Sequence, residues 1–226
     1  MKDSKISPYA KLVFADSLFE IGKYTEAFEV YEQLLKEDSH YTPKMLLRMA
    51  YIKEGLDDYA QALYYLNLYY HYQADDKVLT KMADLAEKKK LSGYRFSDYD
   101  FLLSLLQRHR IYVVISFFSV SILLTGYMFL LQRRKKRPPL FPLTISNLVL
   151  LATFFYILNY VKSPEFAIVK QDHVYAMSAP SAGAEVVKIF KKGDRVEVVG
   201  KHDIWHEIKS ETDIGFIRQH HLLVVK

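Results

Sequence analysis

Two apolar runs constrain this chain more than anything else in it. Ile111 to Leu131 (IYVVISFFSVSILLTGYMFLL) carries no charged residue, and neither does Leu140 to Val161 (LFPLTISNLVLLATFFYILNYV). At about 1.5 Å of rise per residue, each run reaches roughly 31 Å, the thickness of a bilayer's hydrocarbon core. Buried helices of soluble proteins rarely stay uncharged that long, and two in tandem are rarer. The expectation is a two-helix transmembrane hairpin, with helix 1 over 111–131 and helix 2 over 140–161. Between them lies QRRKKRPP (132–139), a tight turn carrying Arg133, Arg134, Lys135, Lys136 and Arg137. Tyr112, Tyr127, Tyr156 and Tyr160 stand near the span ends, where amphipathic rings favour the interface. Pro142 falls in a first helical turn, where a missing N–H does no harm. Asn147 and Asn159 read as packing contacts, and the lack of any acid or base in either span argues against an ion pathway.

The whole chain has a net charge of +5 and a pI near 9.0, which alone would suggest nucleic acid. Divided along the chain, the charge says otherwise. Residues 1–107 hold 14 Lys+Arg against 17 Asp+Glu, residues 108–162 hold 8 against none, and residues 163–226 hold 9 against 9. The basic excess therefore belongs to the membrane segment, where it sets topology, and no nucleic-acid partner is expected. Positive-inside reasoning puts the 132–139 turn in the cytoplasm and both termini outside. The first 20 residues show no apolar signal-type core, which opposes that orientation unless a signal lies upstream or has been lost. The chain has no cysteine, which decides no compartment.

Ahead of the spans, GKYTEAFEVYEQLL (22–35) and LDDYAQALYYLNLYY (56–70) superimpose at a spacing of 35: Tyr24 matches Tyr59, Ala27 matches Ala62, and Ala15 matches Ala50. Each unit predicts helix, short turn, helix, with a small Ala where two helices approach closely. A third helical stretch, 78–91, would cap the stack. The Lys88 to Lys90 run reads as a solvated helix end. The tyrosines at 64, 65, 69, 70 and 72 suggest ring packing between units or an amphipathic surface more than a dedicated site. Ser97 ahead of 98–107 looks like the start of a juxtamembrane helix (95–110).

These residues resemble the tetratricopeptide repeat family, in its small first-helix residue (Ala15), its Gly-x-Tyr turn (Gly22, Tyr24) and its second-helix Ala (Ala27). The second unit departs from the pattern, with Asp57 where the turn glycine is expected, and Ser39 replaces the terminal proline of the first. The resemblance implies a peptide- or protein-binding concave face built by Tyr9, Leu12, Asp16 and Phe19 and by Lys44, Leu47, Tyr51 and Glu54. The alternative is that these side chains only pack or meet solvent.

After Lys162-Ser163-Pro164 the pattern changes to short runs: EFAIVKQ, HVYAMSA, VVKIFKKG, DRVEVVGK, IWHEIKS, IGFIRQ and HLLVV. Period-2 alternation buries Val196 and Val198, and WHEIK buries Trp205 and Ile208. Many short strands in about 60 residues predict a small barrel, with hairpin turns at Gly193-Asp194 and Thr212-Asp213. The order of signals resembles bacterial SH3-type domains: Lys192-Gly193-Asp194 opening a strand pair, Trp205 and Ile208 in the next strand, Gly215-Phe216-Ile217 closing. That resemblance implies a peptide-binding or cell-wall-associated module. Tyr175, Trp205 and Phe216 either line an aromatic groove or belong to the core.

No catalytic constellation is apparent. The eight histidines are scattered without a helical His-x-x-x-His pair, and no nucleophile elbow, phosphate loop or dinucleotide fingerprint occurs. No metal, cofactor or enzymatic activity is expected. The expected fold is multidomain: all-α tetratricopeptide-type repeats over 1–94, a juxtamembrane helix, a two-helix transmembrane hairpin, and an all-β SH3-like barrel over 162–226. That order resembles BatE-type membrane proteins of Bacteroidetes aerotolerance operons. It implies a two-pass protein of the bacterial inner membrane with periplasmic termini, a non-catalytic adaptor or scaffold for envelope proteins or peptides. The alternative is a cell-wall-binding or sensory module whose barrel reads a peptidoglycan-type ligand.

Overall fold

The computed structural model describes residues 7–37, 41–73, 75–94, 109–133, 140–160, 164–210 and 213–225. The expected juxtamembrane helix lies outside them apart from its last two residues, as do Arg134 to Pro139 of the basic turn. Among the described residues are seven α-helices and one seven-stranded antiparallel sheet.

The first four helices repeat with the period read from the sequence. Helices α1 (Pro8–Glu20) and α2 (Tyr24–Glu37) are followed 35 residues later by α3 (Pro43–Gly55) and α4 (Tyr59–Tyr72). Their punctuation repeats as well. Ser7 and Thr42 are N-caps that accept from the N–H groups of Ala10 and Met45, each with a proline next in line. At the turns, Lys23 N–H donates to Leu18 O and Asp58 N–H to Lys53 O, closing both first helices with the same wide bond. This turn needs a left-handed residue, supplied once by Gly22 (φ +81°) and once by Asp57 (φ +56°). Asp is among the few non-glycine residues that tolerate the conformation. Its carboxylate also meets Lys89 at 2.7 Å.

The repeated alanines, Ala15, Ala27, Ala50 and Ala62, are all buried where the helices close on one another. Helix α5 (Asp76–Lys89) adds Val78, Met82 and Leu85 to the same core and ends at Lys90, itself left-handed. In the tyrosine run, Tyr65 and Tyr69 are buried, Tyr64 and Tyr70 half-buried and Tyr72 exposed. Packing accounts for most of that cluster.

Each of the seven apolar runs after residue 164 forms a strand: β1 (Glu165–Val169), β2 (Val174–Met177), β3 (Val186–Phe190), β4 (Arg195–His202), β5 (Trp205–Lys209), β6 (Ile214–Arg218) and β7 (Leu222–Val224). Their order is β3-β2-β6-β5-β4-β1-β7. Phe190 of β3 and Leu222 of β7, from the two ends of that order, join one core with Val174, Val196, Val198, Ile208 and Ile217. The sheet therefore curls around a single interior. Gly193-Asp194 is a turn, as expected, but not of a hairpin: β3 pairs with β2, and β4 pairs with β1 and β5. Of the second expected turn, Thr212 lies outside the described residues, while β5 and β6 do pair as a hairpin.

The chain divides into two compact units, 1–96 together with 164–226, and 97–163. The sequence presented two soluble modules, and the structure packs them as one. Strand β1 explains how. Ala167 and Val169 face the sheet interior, whereas Ile168, fully buried, joins the helical core along with Val225. A strand buried on both faces reads as a continuous apolar run, which is what FAIV is.

Polar contacts finish the seam. Tyr94 Oη donates to Gly193 O (2.8 Å), and the Asp194 carboxylate accepts from Ser92 N–H and Lys191 N–H (2.8 Å each). Arg195 N–H donates to Ser92 O, and Lys192 Nζ pairs with Asp58 at 2.9 Å. Gly93 (φ +85°) lies so close to Arg195 that a Cβ would collide with its carbonyl oxygen.

In the second unit, helix α6 (Arg110–Arg133) packs against α7 (Leu140–Tyr160). Among the described residues one helix, over Ile111–Leu131, is long and apolar enough to cross a membrane; the apolar stretch of α7, Phe141–Tyr156, is shorter. Phe117 and Phe154 stack with centroids 5.3 Å apart. Asn147 bridges the pair, accepting from Ser121 Oγ (2.9 Å) and donating to Thr125 Oγ1 (3.2 Å). Asn159 instead turns back to Phe155 O of its own helix.

Candidate functional site

The two surfaces that the sequence singled out both lie in the first unit. On α1 and α3 the eight concave-face residues divide by what they already touch. Asp16 is engaged: Tyr31 Oη donates to it at 2.6 Å, and the Arg48 guanidinium pairs with it at 2.6 Å. Arg48 also pairs with Glu20, and lies 4.6 Å from the Phe19 ring centre. A buried guanidinium needs such partners, since an unpaired charge here would lose its hydration without return. Burial, then the bond to Asp16, pushes the Tyr31 phenol up to about 12. Glu54 is engaged too, holding Lys81 of α5 at 2.6 Å, and Leu12 packs on the helical core.

Phe19 meets Tyr24 and Tyr51 edge-on, with centroids 5.2 and 5.8 Å away, and Tyr24 meets Tyr51 at 5.8 Å. The three rings form a closed triangle, with Tyr51 still mostly exposed. Tyr9, Lys44 and Leu47 are exposed as well. What remains open to a partner is an aromatic and aliphatic surface, Tyr9, Leu47, Tyr51 and Tyr24, over a charge-paired base. Sequence reasoning missed Arg48 and Tyr24. Arg48 has Val13 as its repeat counterpart, so the register gave no hint. The available signal was Asp16 and Glu20 one helical turn apart, two acids on one face that need a cation.

On the sheet, a groove of about 470 Å³ is lined by Tyr175, Met177, Trp205, Arg218, His221 and their neighbours. Register explains the set. Trp205 stands directly opposite Arg218, whose guanidinium lies 5.2 Å from the indole centre. Trp205 and Ile208 are both buried, as expected, but three residues apart on a strand places them on opposite faces. Ile208 enters the interior while Trp205 forms the floor of the groove. Phe216 shares that outer face, opposite Glu207 and Met177, yet it does not line the groove; its ring meets His202 at 5.6 Å. Gln171 bonds His221 at 2.8 Å. Burial, reinforced by His220 and Arg218, pushes the His221 pKa down, so the ring enters neutral pH uncharged.

The groove thus offers a Trp205 floor beside Tyr175, the Arg218 cation and the imidazoles of His173 and His221, a set suited to binding a polar ligand with apolar faces. Among the described residues no group of three or more His, Asp or Glu is placed to hold a metal ion. Comparison with protein-family models, with curated proteins and with solved structures returned no match.

Proposed function

We propose that this chain is a membrane-anchored, non-catalytic adaptor. Its tetratricopeptide-type helices and SH3-type barrel act as one binding head for proteins or peptides of the bacterial envelope, as in the BatE-type proteins it resembles. One observation carries the anchoring half. Residues before and after the apolar segment pack into a single unit, through a seam with Tyr94 buried against Gly193. A chain that leaves such a unit, enters a bilayer and rejoins the unit must cross an even number of times. That argument supports α7 as a second span beside α6, making a two-pass anchor with both termini on one side. The cation run 133–137 favours a cytoplasmic turn and a periplasmic head in the inner membrane.

The binding half rests on the Tyr51-Leu47-Tyr9 surface, whose exposed aromatic groups are the residue types that anchor protein interfaces. A second reading is favoured by the Trp205-Tyr175-Arg218 groove, which fits a cell-wall peptide or glycan.

Photo-crosslinking in cells at Tyr51 and at Tyr175 separates the two. The adaptor reading expects protein adducts at Tyr51 that Leu47→Asp abolishes. Binding of the full chain to purified cell wall, lost on Tyr175→Ala, with no adduct at Tyr51, would establish the second reading instead. For topology, Ser178→Cys and Lys135→Cys are probed with an impermeant thiol reagent in cells with permeabilised outer membranes. Labelling at 178 and protection at 135 is expected, and the reverse pattern would invert the protein.

A further inference from the structure

Strand β7 ends the sheet, so among the described residues one of its edges has no neighbouring strand. Its register with β1 shows which groups lie on that edge. Ile168 faces Leu223, Val225 N–H donates to Phe166 O, and Lys170 N–H donates to His221 O. Residues 221, 223 and 225 thus spend their backbone groups on β1. By alternation the Val224 N–H and C=O point the other way. They border a cleft of about 490 Å³ whose opposite wall comes from the helices: Leu35 of α2, Tyr64, Leu68 and Tyr72 of α4, and Tyr41. The helix–sheet seam creates this cleft, and neither half has it alone.

We propose that the cleft binds an extended segment of a partner protein, which adds to β7 as an eighth strand and carries an acidic side chain beside apolar ones. A donor and an acceptor at strand spacing, on an edge beside apolar rings, match a peptide backbone better than they match a lipid tail or a small molecule. Alternate side chains of an added strand point one way, toward the tyrosine wall. Charge selects the rest. Two lysines and one glutamate line the cleft, but Glu32 holds Lys36 at 3.0 Å. Lys170, exposed at the mouth, is left to meet a carboxylate. This site adds to the adaptor reading without depending on the concave face or the groove.

The test uses the full chain in nanodiscs and a fluorescent nine-residue peptide alternating valine or phenylalanine with threonine, with aspartate at two threonine positions. The expected result is saturable binding, weakened about tenfold by Val224→Pro, which removes the outward donor and leaves the β1 ladder intact. Lys170→Glu should lower affinity about fivefold and restore it for a peptide with lysine in place of aspartate. A peptide N-methylated at alternate residues tests pairing without touching the protein, and it should not bind. Equal binding of the methylated peptide, or displacement of every peptide by a decyl-chain detergent at equal affinity, would overturn the proposal. So would the absence of binding at millimolar peptide, which leaves the concave face and the groove untouched as adaptor surfaces.

Discussion

The seam that joins the helices to the sheet and the contact between α6 and α7 solve the same problem in opposite ways. At the seam, a fully buried Ile168 sits among hydrogen bonds that link residues about a hundred positions apart, such as Ser92 N–H to Asp194 and Tyr94 Oη to Gly193 O. Between α6 and α7 the described contact is largely apolar, and it includes the Phe117–Phe154 stack and the Asn147 node. The difference is the one expected of two units that face different solvents, as the proposed anchor would require. In water, burying Ile168 supplies drive, and the polar bonds fix register. If lipid surrounds the α6–α7 pair, apolar side chains gain little by meeting each other, and shape and a rare polar contact decide. Substitutions at the seam should therefore cost much more than substitutions at the node.

The largest effect is expected at Gly93. Its positive φ and the Arg195 carbonyl against it leave no room for a side chain. Gly93→Val should destabilise the seam by about 4 kcal/mol or more. Trp205, the single tryptophan, reports the sheet in a urea titration. A midpoint unchanged from wild type would show that the two halves do not depend on each other.

Ile168→Ala comes next. It leaves a cavity in the helical core although the residue belongs to a strand, at a cost of about 3 kcal/mol. The diagnostic is where amide exchange speeds up. Faster exchange in α4 and α5 as well as β1 is expected; an effect confined to the sheet would mean the seam carries no load.

The third substitution, Tyr94→Phe, brings in pH. Burial raises the Tyr94 phenol above its ordinary value near 10. A raised folded pKa means the contribution is whole below pH 10 and is lost as the pH climbs past it. Tyr94→Phe should cost about 1.5 kcal/mol at neutral pH, by leaving the Gly193 carbonyl without its donor. It should also flatten the alkaline fall of stability. Tyr31, pushed up to about 12, keeps a residual slope in the variant. An identical pH profile for wild type and variant would remove Tyr94 from the account.

How legible these features were in sequence depends on range. The 35-residue repeat, its alanines and all seven strands could be read because they rest on local periodicity. The substitution of Asp57 for glycine at the second turn was visible as a departure, and the turn keeps the same left-handed geometry. The seam was not legible. FAIV was seen as a strand, but nothing local says that Ile168 faces a helix bundle from the other half of the chain. Lys192-Gly193-Asp194 was read as strand punctuation, whereas the structure uses it as the docking point for Asp58, Ser92 and Tyr94. At the candidate sites, the positions on α1 and α3 came from the resemblance to tetratricopeptide repeats, which could not reveal that Arg48 ties up Asp16. On the sheet, the sequence reading buried Trp205 and Ile208 together, although an odd spacing on a strand already puts them on opposite faces. Phe216 shares the outer face with Trp205, and only the curl of the sheet and its loops decides which of the two rings meets the groove.

The smallest effect sharpens the comparison from the other side. Asn147 links Ser121 and Thr125 across the α6–α7 pair, and Asn147→Leu deletes both bonds while keeping a similar volume. In water, taking the acceptor from the half-buried Ser121 hydroxyl would be costly. Within a helix pair in lipid, Ser121 and Thr125 can turn back to carbonyls of their own helix, as Thr125 Oγ1 already does to Ser121 O at 2.9 Å. The loss should therefore stay near 0.6 kcal/mol. Steric trapping of the full chain in bilayers can resolve it, with Phe154→Ala as an internal comparison. A cost for Asn147→Leu equal to that of Ile168→Ala would mean that α6 and α7 are held together as a water-facing pair is, and the membrane anchor itself would then be in question.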